Sequence, residues 1–215
     1  MVMGRFVKVL FILLYLVGSN CLAKSVSLTG KNFIPDTFKA YFKQSYKSSL
    51  SGKEKVTKGH IEYFYPGRVR FEITSPDKTI FVSNPKTTWY YNAPFVDGEP
   101  GEVLIKKTGK MVISKFFDIL KTGLNNNDYY KVKNKNNLYE VSFSKSVMAE
   151  IGIKKSILSF NKTKGVLQFR DVSYIDLHYT DKRIVKMVFS KIEQSVKFAK
   201  NRFIFKIPDN TQISN

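Results

Sequence analysis

The sequence predicts a mainly β (α+β) single domain, built on one antiparallel sheet that curls strongly or partly closes. Three observations lead to this fold class. Most of the chain alternates apolar and polar residues with a period of two, turn signals separate these runs at regular spacing, and only two segments show helical spacing. With 43% hydrophobic and 14% aromatic residues, the chain can fill a core.

The N-terminus has the layout of a secretory signal peptide. Arg5 and Lys8 precede an uninterrupted apolar run over residues 9–17. This run is too short for a bilayer core, which takes about 20 residues to cross. We therefore predict a signal peptide over residues 1–23.

The cleavage site is expected after Ala23. A lipoprotein cut at Cys21 would normally follow a small residue, and here Asn20 precedes the cysteine. Cleavage after Ala23 leaves a mature domain over residues 24–215 that has no cysteine. An exported protein of this kind depends on core burial rather than on disulfides.

The first predicted element of the mature chain is a helix in "IPDTFKAYFKQSYKSSL". Asp36 follows Pro35 and is available as an N-cap. The aromatic residues of this segment recur at helical spacing, at Phe38, Tyr41, Phe42 and Tyr46.

Two strand pairs follow, in "GHIEYFYPGRVRFEITSP" and in "KTIFVSNPKTTWYYN". The turns are Pro66-Gly67 in the first pair and Asn84-Pro85-Lys86 in the second. Because side chains alternate along a strand, we predict that the apolar residues of each strand share one of its sides. The predicted sets are Ile61, Tyr63 and Tyr65 on the first strand, Val69, Phe71 and Ile73 on the second, and Trp89 and Tyr91 on the last.

The rest of the chain predicts one more helix and a ladder of strands. A short strand "EVLIKK" leads into the helix "MVISKFFDILKTG", which ends at Gly123. The hairpin "DYYKVKNKNNLYEVSFS" comes next, followed by the strands "IKKSILSFN", "VLQFRDVSYID", "IVKMVFSKIE" and "RFIFKIP". The apolar stripe of the helix consists of Val112, Ile113, Phe116, Phe117 and Leu120.

The number of aromatic residues on the predicted strands raises two alternatives. They fill a close-packed core, or a curved sheet with helices over its mouth encloses an apolar pocket, as ligand-holding barrels do. A sheet of this size with two helices has limited core volume. The excess of aromatic residues therefore favours a pocket.

The segment "YPGRVRFEITSPDKTIFVSNPKTTWYYNAPF" resembles the signature of LolA-type periplasmic outer-membrane lipoprotein carriers. It has the Pro-Gly turn, an Ile-x-Val-Ser-like strand "IFVS" and the Trp-x-Tyr strand in the family's order. Downstream, "MVISKFFDILKTG" matches the family's mid-chain helix and "FIFKIPDNTQI" its closing strand. The resemblance covers essentially the whole mature chain.

The resemblance implies an incomplete antiparallel β-barrel with a helical lid, whose apolar interior takes the acyl chains of lipoproteins. Such a carrier is a periplasmic monomer without a cofactor. It receives acylated lipoproteins from an inner-membrane ABC transporter and passes them to an outer-membrane acceptor.

The resemblance also implies a lipid-binding cavity and a latch for the lid. The family commonly has Arg directly before the Pro of the turn, where this chain has Tyr65. Latch candidates are therefore Tyr65 and two arginines after the turn, Arg68 and Arg70. The expected cavity residues are Phe38, Phe42, Tyr63, Tyr65, Val69, Phe71, Ile73, Ile80, Val82, Trp89, Tyr91, Phe116, Phe117 and Leu120.

The charge of the chain leaves its partners open. Lys and Arg number 36 against 17 Asp and Glu, a net charge of +19. Such a field attracts an anionic membrane surface, an acidic protein patch or nucleic acid, and export argues against nucleic acid. A lipid- or lipoprotein-sensing module and a polyanion-binding module on the same fold are the alternatives to a carrier.

The sequence indicates neither an enzyme nor a metal site. His60 and His178 stand alone, without metal-ligand spacing, and no nucleophile elbow or phosphate loop is present.

Overall fold

The computed structural model describes residues 33–107, 111–162 and 165–214, so the predicted signal peptide lies outside the described residues. The helices are α1 (Val112–Leu120) and α2 (Lys145–Ile151). The strands are β1 (Thr37–Lys47), β2 (Glu54–Phe64), β3 (Arg68–Ser75), β4 (Thr79–Ser83), β5 (Thr88–Asn92), β6 (Gly101–Lys106), β7 (Tyr130–Lys135), β8 (Leu138–Phe143), β9 (Ile153–Phe160), β10 (Val172–Tyr179), β11 (Ile184–Gln194) and β12 (Thr211–Ser214).

These strands form one open, curved sheet, which confirms the predicted fold class of an incomplete barrel. Their order is β12-β6-β5-β4-β3-β2-β1-β11-β10-β9-β8-β7. Among the described strands, neighbours pair antiparallel except β12 and β6, which are parallel. Neither described helix is long and apolar enough to cross a membrane.

The predicted helix over the first aromatic segment is wrong, because this segment forms β1. Phe38, Ala40 and Phe42 are buried on one face, while Tyr41 is 43% exposed on the other. A spacing of four residues fits a helix and also an even-numbered step along a strand. Pairing with β2 on one side and β11 on the other decides for the strand.

The structure also differs from the predicted elements near the C-terminus and after β8. The segment "RFIFKIP" forms no strand; it crosses the outer face of the sheet, where Phe203 and Phe205 are buried. The closing strand is instead β12. Helix α2 was not predicted, because its seven residues are too few for a clear helical period.

Helix α1 closes one part of the inner face, and we call this part the sealed half. Phe117 of α1 meets Phe38 edge-on, with ring centroids 5.0 Å apart, and Phe38 stacks on Tyr63 at 5.2 Å. Phe169, from a short 3-10 helix before β10, packs against Phe38 at 4.6 Å. All four side chains are fully buried, so the sealed half is close-packed.

Candidate functional site

A cavity of about 1020 Å³ lies on the inner face, beside the sealed half. It reaches the upper end of the range of about 300–1,000 Å³ that ligand pockets occupy. We call this part of the face the open half. Its apolar wall consists of Val56, Phe71, Ile73, Pro76, Phe81, Tyr90, Leu104, Met111, Val112, Ile113, Leu177, Val185 and Met187.

Strand register builds one wall of the cavity. Phe71 of β3 is paired with Phe81 of β4, Phe81 with Tyr90 of β5, and Tyr90 with Leu104 of β6. The rings of Phe81 and Tyr90 lie 4.4 Å apart between centroids. Because directly paired residues share a face, this row of side chains forms a continuous apolar surface.

Phe42 and Gly59 form the boundary between the two halves. The Phe42 ring stacks on Phe71 at 4.5 Å. A Cβ atom on Gly59 would lie 2.9 Å from Cζ of Phe42 and 1.9 Å from the carbonyl oxygen of Glu72. The missing side chain of Gly59 therefore makes room for the Phe42 ring against β2.

Asp118 ties α1 to the turn between β2 and β3. Its Oδ1 accepts a hydrogen bond of 2.6 Å from the Tyr63 hydroxyl and one of 3.0 Å from the Gly67 N–H. Burial, and then the bond to Asp118, raises the pKa of Tyr63 well above its usual value. Tyr63 therefore keeps its proton and remains the donor.

Lys121, just after α1, makes a second tie to the sheet. Its Nζ donates to Asp36 Oδ1 at 2.5 Å and to the Ile34 carbonyl oxygen at 3.3 Å. The same ammonium lies 4.8 Å from the centre of the Tyr65 ring. Because the Tyr65 N–H donates to the Asp36 carbonyl oxygen at 2.8 Å, both ties hold the C-terminal turn of α1 at one corner of the sheet.

The charged residues of the lining are solvent-exposed and mark the rim. Arg183 donates from Nε to Asp181 at 2.7 Å and lies 4.9 Å over the ring of Tyr179. Burial raises the pKa of Tyr179, so its hydroxyl stays neutral. The charged lining residues are Lys55, Asp77, Lys106 and Arg183.

The structure divides the expected cavity residues into three groups. Phe71 and Ile73 line the cavity. Seven others belong to the continuous core of the inner face, mostly in the sealed half, and Phe38 and Phe42 reach it from β1 rather than from a lid helix. The seven are Phe38, Phe42, Tyr63, Val69, Phe116, Phe117 and Leu120.

The third group does not reach the inner face, and this placement corrects the expected facing of β4 and β5. Ile80, Val82, Trp89 and Tyr91 belong to a separate cluster on the outer face, together with Phe205. Both faces of β4 and β5 are apolar, so alternation could not distinguish them. Tyr65 lies at the turn after β2 and is 40% exposed.

The two arginines predicted as latch candidates contact residues of β2 and β3. Arg68 lies 5.0 Å over the ring of Phe64, and Arg70 pairs with Glu72. The polar contacts that hold the C-terminal turn of α1 come instead from Tyr63, Gly67 and Lys121. Of the three latch candidates, only Tyr65 takes part, through the contact between its ring and the Lys121 ammonium.

Sequence reasoning missed much of the wall of the open half. Phe81 and Tyr90 occupy the alternate positions of strands that were assigned the wrong face. Leu177, Val185 and Met187 lie on β10 and β11, which pair with each other and join β1. Their alternation was visible in the sequence, but nothing local indicated that these distant strands would flank β1.

The chain is similar to proteins of one family. The sequence model of the family described as outer membrane lipoprotein carrier protein LolA matches residues 35–206. An outer-membrane lipoprotein carrier protein from Serratia proteamaculans is 31% identical over 107 residues, 50% of this chain and 51% of that protein. One from Yersinia pestis is 27% identical over 128 residues, 59% of this chain and 61% of that protein.

The match thus spans about half to three fifths of the length of these curated relatives. Among solved structures, a LolA superfamily protein from Nitrosomonas europaea has a TM-score of 0.47 and 9% identity. That comparison covers 81% of this chain and 93% of the other.

Proposed function

Because the chain belongs to the LolA family of outer membrane lipoprotein carrier proteins, we propose that its cavity shelters the acyl chains of lipoproteins. The observation that carries the proposal is the open half: about 1020 Å³ of space with a largely aliphatic and aromatic wall, in a sheet whose other half is packed solid. Such a wall binds hydrocarbon with little specificity.

The energetics of acyl chains support a carrier that shelters its cargo partly. At about 0.8 kcal/mol per methylene, a three-chain anchor of about 45 methylenes would cost about 36 kcal/mol to leave in water. Noncovalent binding saturates near about 20 kcal/mol. A carrier therefore holds part of the anchor, and extraction from a membrane requires external work.

The route of the cargo is part of the proposal. A signal peptide over residues 1–23 sends the mature domain, residues 24–215, to the periplasm. There the protein works as a monomer, takes lipoproteins from an inner-membrane ABC transporter and delivers them to an outer-membrane acceptor. Its basic charge draws it to anionic membrane surfaces.

We propose transport without a catalysed reaction. The cavity wall offers hydrocarbon contacts, and its charged residues are exposed at the rim. This arrangement favours reversible binding over bond making.

A release assay tests the proposal. Inner-membrane vesicles that hold the cognate transporter are incubated with the mature protein and ATP, and lipoprotein in the supernatant is measured. We expect release with the wild type and a loss of at least about tenfold with Phe81→Glu, because a buried carboxylate opposes hydrocarbon in the cavity.

Phe95→Glu is the matched control. Phe95 is 85% exposed on the loop between β5 and β6, outside the cavity. This variant makes the same chemical change and should release lipoprotein as the wild type does. Equal release by Phe81→Glu and the wild type, with both proteins folded, would remove the cavity from the mechanism.

A further inference from the structure

The inner face of β1 and β2 changes from polar to apolar along the strands. This gradient starts at the hairpin end, where the cavity reaches the rim, and ends in the sealed half. From the rim inward, the paired residues are Tyr46 with Lys55, Gln44 with Thr57, Phe42 with Gly59, Ala40 with Ile61, and Phe38 with Tyr63.

The second pair places two polar side chains between the charged rim and the apolar interior of the wall. Gln44 and Thr57 both line the cavity. Met187 flanks Gln44 from β11, and Phe42 is the next inner-face residue along β1. Thr57 is only 8% exposed, its hydroxyl oxygen is shielded from solvent, and that hydroxyl has no hydrogen-bond partner within the described part of the chain.

A pure hydrocarbon ligand does not satisfy this pair. Acyl methylenes over Gln44 would displace water from its amide without replacing the hydrogen bonds, and the Thr57 hydroxyl would stay unpaired. Buried polar groups left in this state cost free energy. A ligand that places a carbonyl oxygen here accepts from the Gln44 amide. It also accepts from the Thr57 hydroxyl once a rotation about χ1 turns that shielded group toward the cavity.

We propose that Gln44 and Thr57 recognise the ester or amide carbonyl of an acyl chain. The cavity then prefers acyl lipids to ethers or hydrocarbons of the same chain length. This inference rests on the proposed function, because it assumes that acyl chains enter the open half.

The pair also fixes the direction of the ligand. Gln44 and Thr57 lie two residues inward from the rim pair, about 7 Å at a strand rise of about 3.3 Å per residue. When the carbonyl lies at Gln44, the polar part of the cargo lies next to Lys55 at the exposed rim. The hydrocarbon continues inward over Phe42 and Phe71.

A matched pair of lipids tests the inference. Dilauroylglycerol and its diether analogue, didodecylglycerol, differ in their carbonyl groups. Each competes with an environment-sensitive fluorophore bound in the cavity of the mature protein. We expect the wild type to bind the diester about tenfold more tightly, the effect of one or two net hydrogen bonds.

The variants remove the polar groups at nearly constant volume. Gln44→Met/Thr57→Val should bind both lipids equally, with affinity for the diether retained. Thr57→Ser keeps the hydroxyl and should keep the preference. Gln212→Met, at an exposed position of β12 outside the cavity, is the control for the Gln-to-Met change and should behave as the wild type.

Each outcome has one meaning. Equal affinities in the wild type, or a preference that survives in the folded double variant, would overturn the role of Gln44 and Thr57. Failure of both lipids to displace the fluorophore would count against the proposed function itself. If the double variant does not fold, Gln44→Met alone should reduce the preference, and an unchanged preference in it overturns the inference.

Discussion

The sealed half and the open half of the inner face use similar residues with different results. Phe38 and Phe117 meet at 5.0 Å in the sealed half and leave no space. Phe81 and Tyr90 meet at 4.4 Å in the open half and border a cavity of about 1020 Å³. Aromatic content therefore does not decide between core and pocket; what covers the sheet decides.

The two halves are covered differently because α1 is short and lies mainly over the sealed half. Phe116, Phe117 and Leu120 fill the sealed half, whereas only the start of the helix, at Val112 and Ile113, reaches the cavity. The sealed half supplies the packing that stabilises the fold. The open half leaves apolar surface for a ligand to cover.

The largest expected effect separates the two halves by stability. Phe117→Ala should lower the free energy of unfolding by about 3–5 kcal/mol, because it leaves a cavity in packed surroundings. Phe81→Ala should lower it by only about 1 kcal/mol, because its ring is already partly exposed to the cavity. Urea unfolding of both variants, followed by circular dichroism, measures the difference.

Lipid binding should respond in the opposite order. Phe81→Ala should weaken fluorophore binding more than Phe117→Ala, measured where both variants are folded. Equal stability losses in the two variants would show that the halves are energetically alike.

A smaller effect is expected at the boundary. Gly59→Ala should cost about 3 kcal/mol, because the new methyl group lies 1.9 Å from a backbone oxygen and 2.9 Å from the Phe42 ring. The displaced ring moves relative to Phe71 and changes the cavity, so lipid binding should fall as well.

Gly98→Ala is the control for this prediction. No atom lies within 4 Å of the position that the new methyl group would take, although φ is +90°. Gly98→Ala therefore measures backbone strain without a clash, and its effect should be smaller. A Gly59→Ala protein with wild-type stability and binding would contradict the tight boundary.

The sequence predicted the elements that local signals define. The stripe of Phe116, Phe117 and Leu120 indicated α1, and the turn at Pro66-Gly67 joins β2 to β3 as expected. The signature segment indicated the family. Each of these features depends on a few neighbouring residues.

The predictions from sequence were wrong where contacts between segments far apart in the chain determine the structure. Both faces of β4 and β5 are apolar, and the C-terminal segment determines which face is the outer one. The ring of its Phe205 lies 5.2 Å, between centroids, from the ring of Tyr91 on β5. The helix predicted for β1 was overruled by two flanking strands. Thr57 showed its role only after register placed it beside Gln44 in the cavity wall.

The smallest expected effects concern the contacts that hold α1 over the sealed half. Tyr63→Phe removes the donor to Asp118 and should lower the free energy of unfolding by about 1.5 kcal/mol, since the bond ends on a charged group. Lys121→Met should cost less than about 1 kcal/mol, because Asp36 is 77% exposed and water screens the pair.

These two variants also show whether the halves are separable. Loosening α1 should expose the sealed half, so amide hydrogen exchange in α1 should quicken in Tyr63→Phe more than in Lys121→Met. In Tyr63→Phe, lipid affinity should be equal to that of the wild type or higher, because the space that opens under the loosened helix becomes part of the cavity. If Tyr63→Phe instead lost lipid affinity while α1 exchanged at the wild-type rate, the bond to Asp118 would shape the cavity directly, and the division into a sealed and an open half would fail.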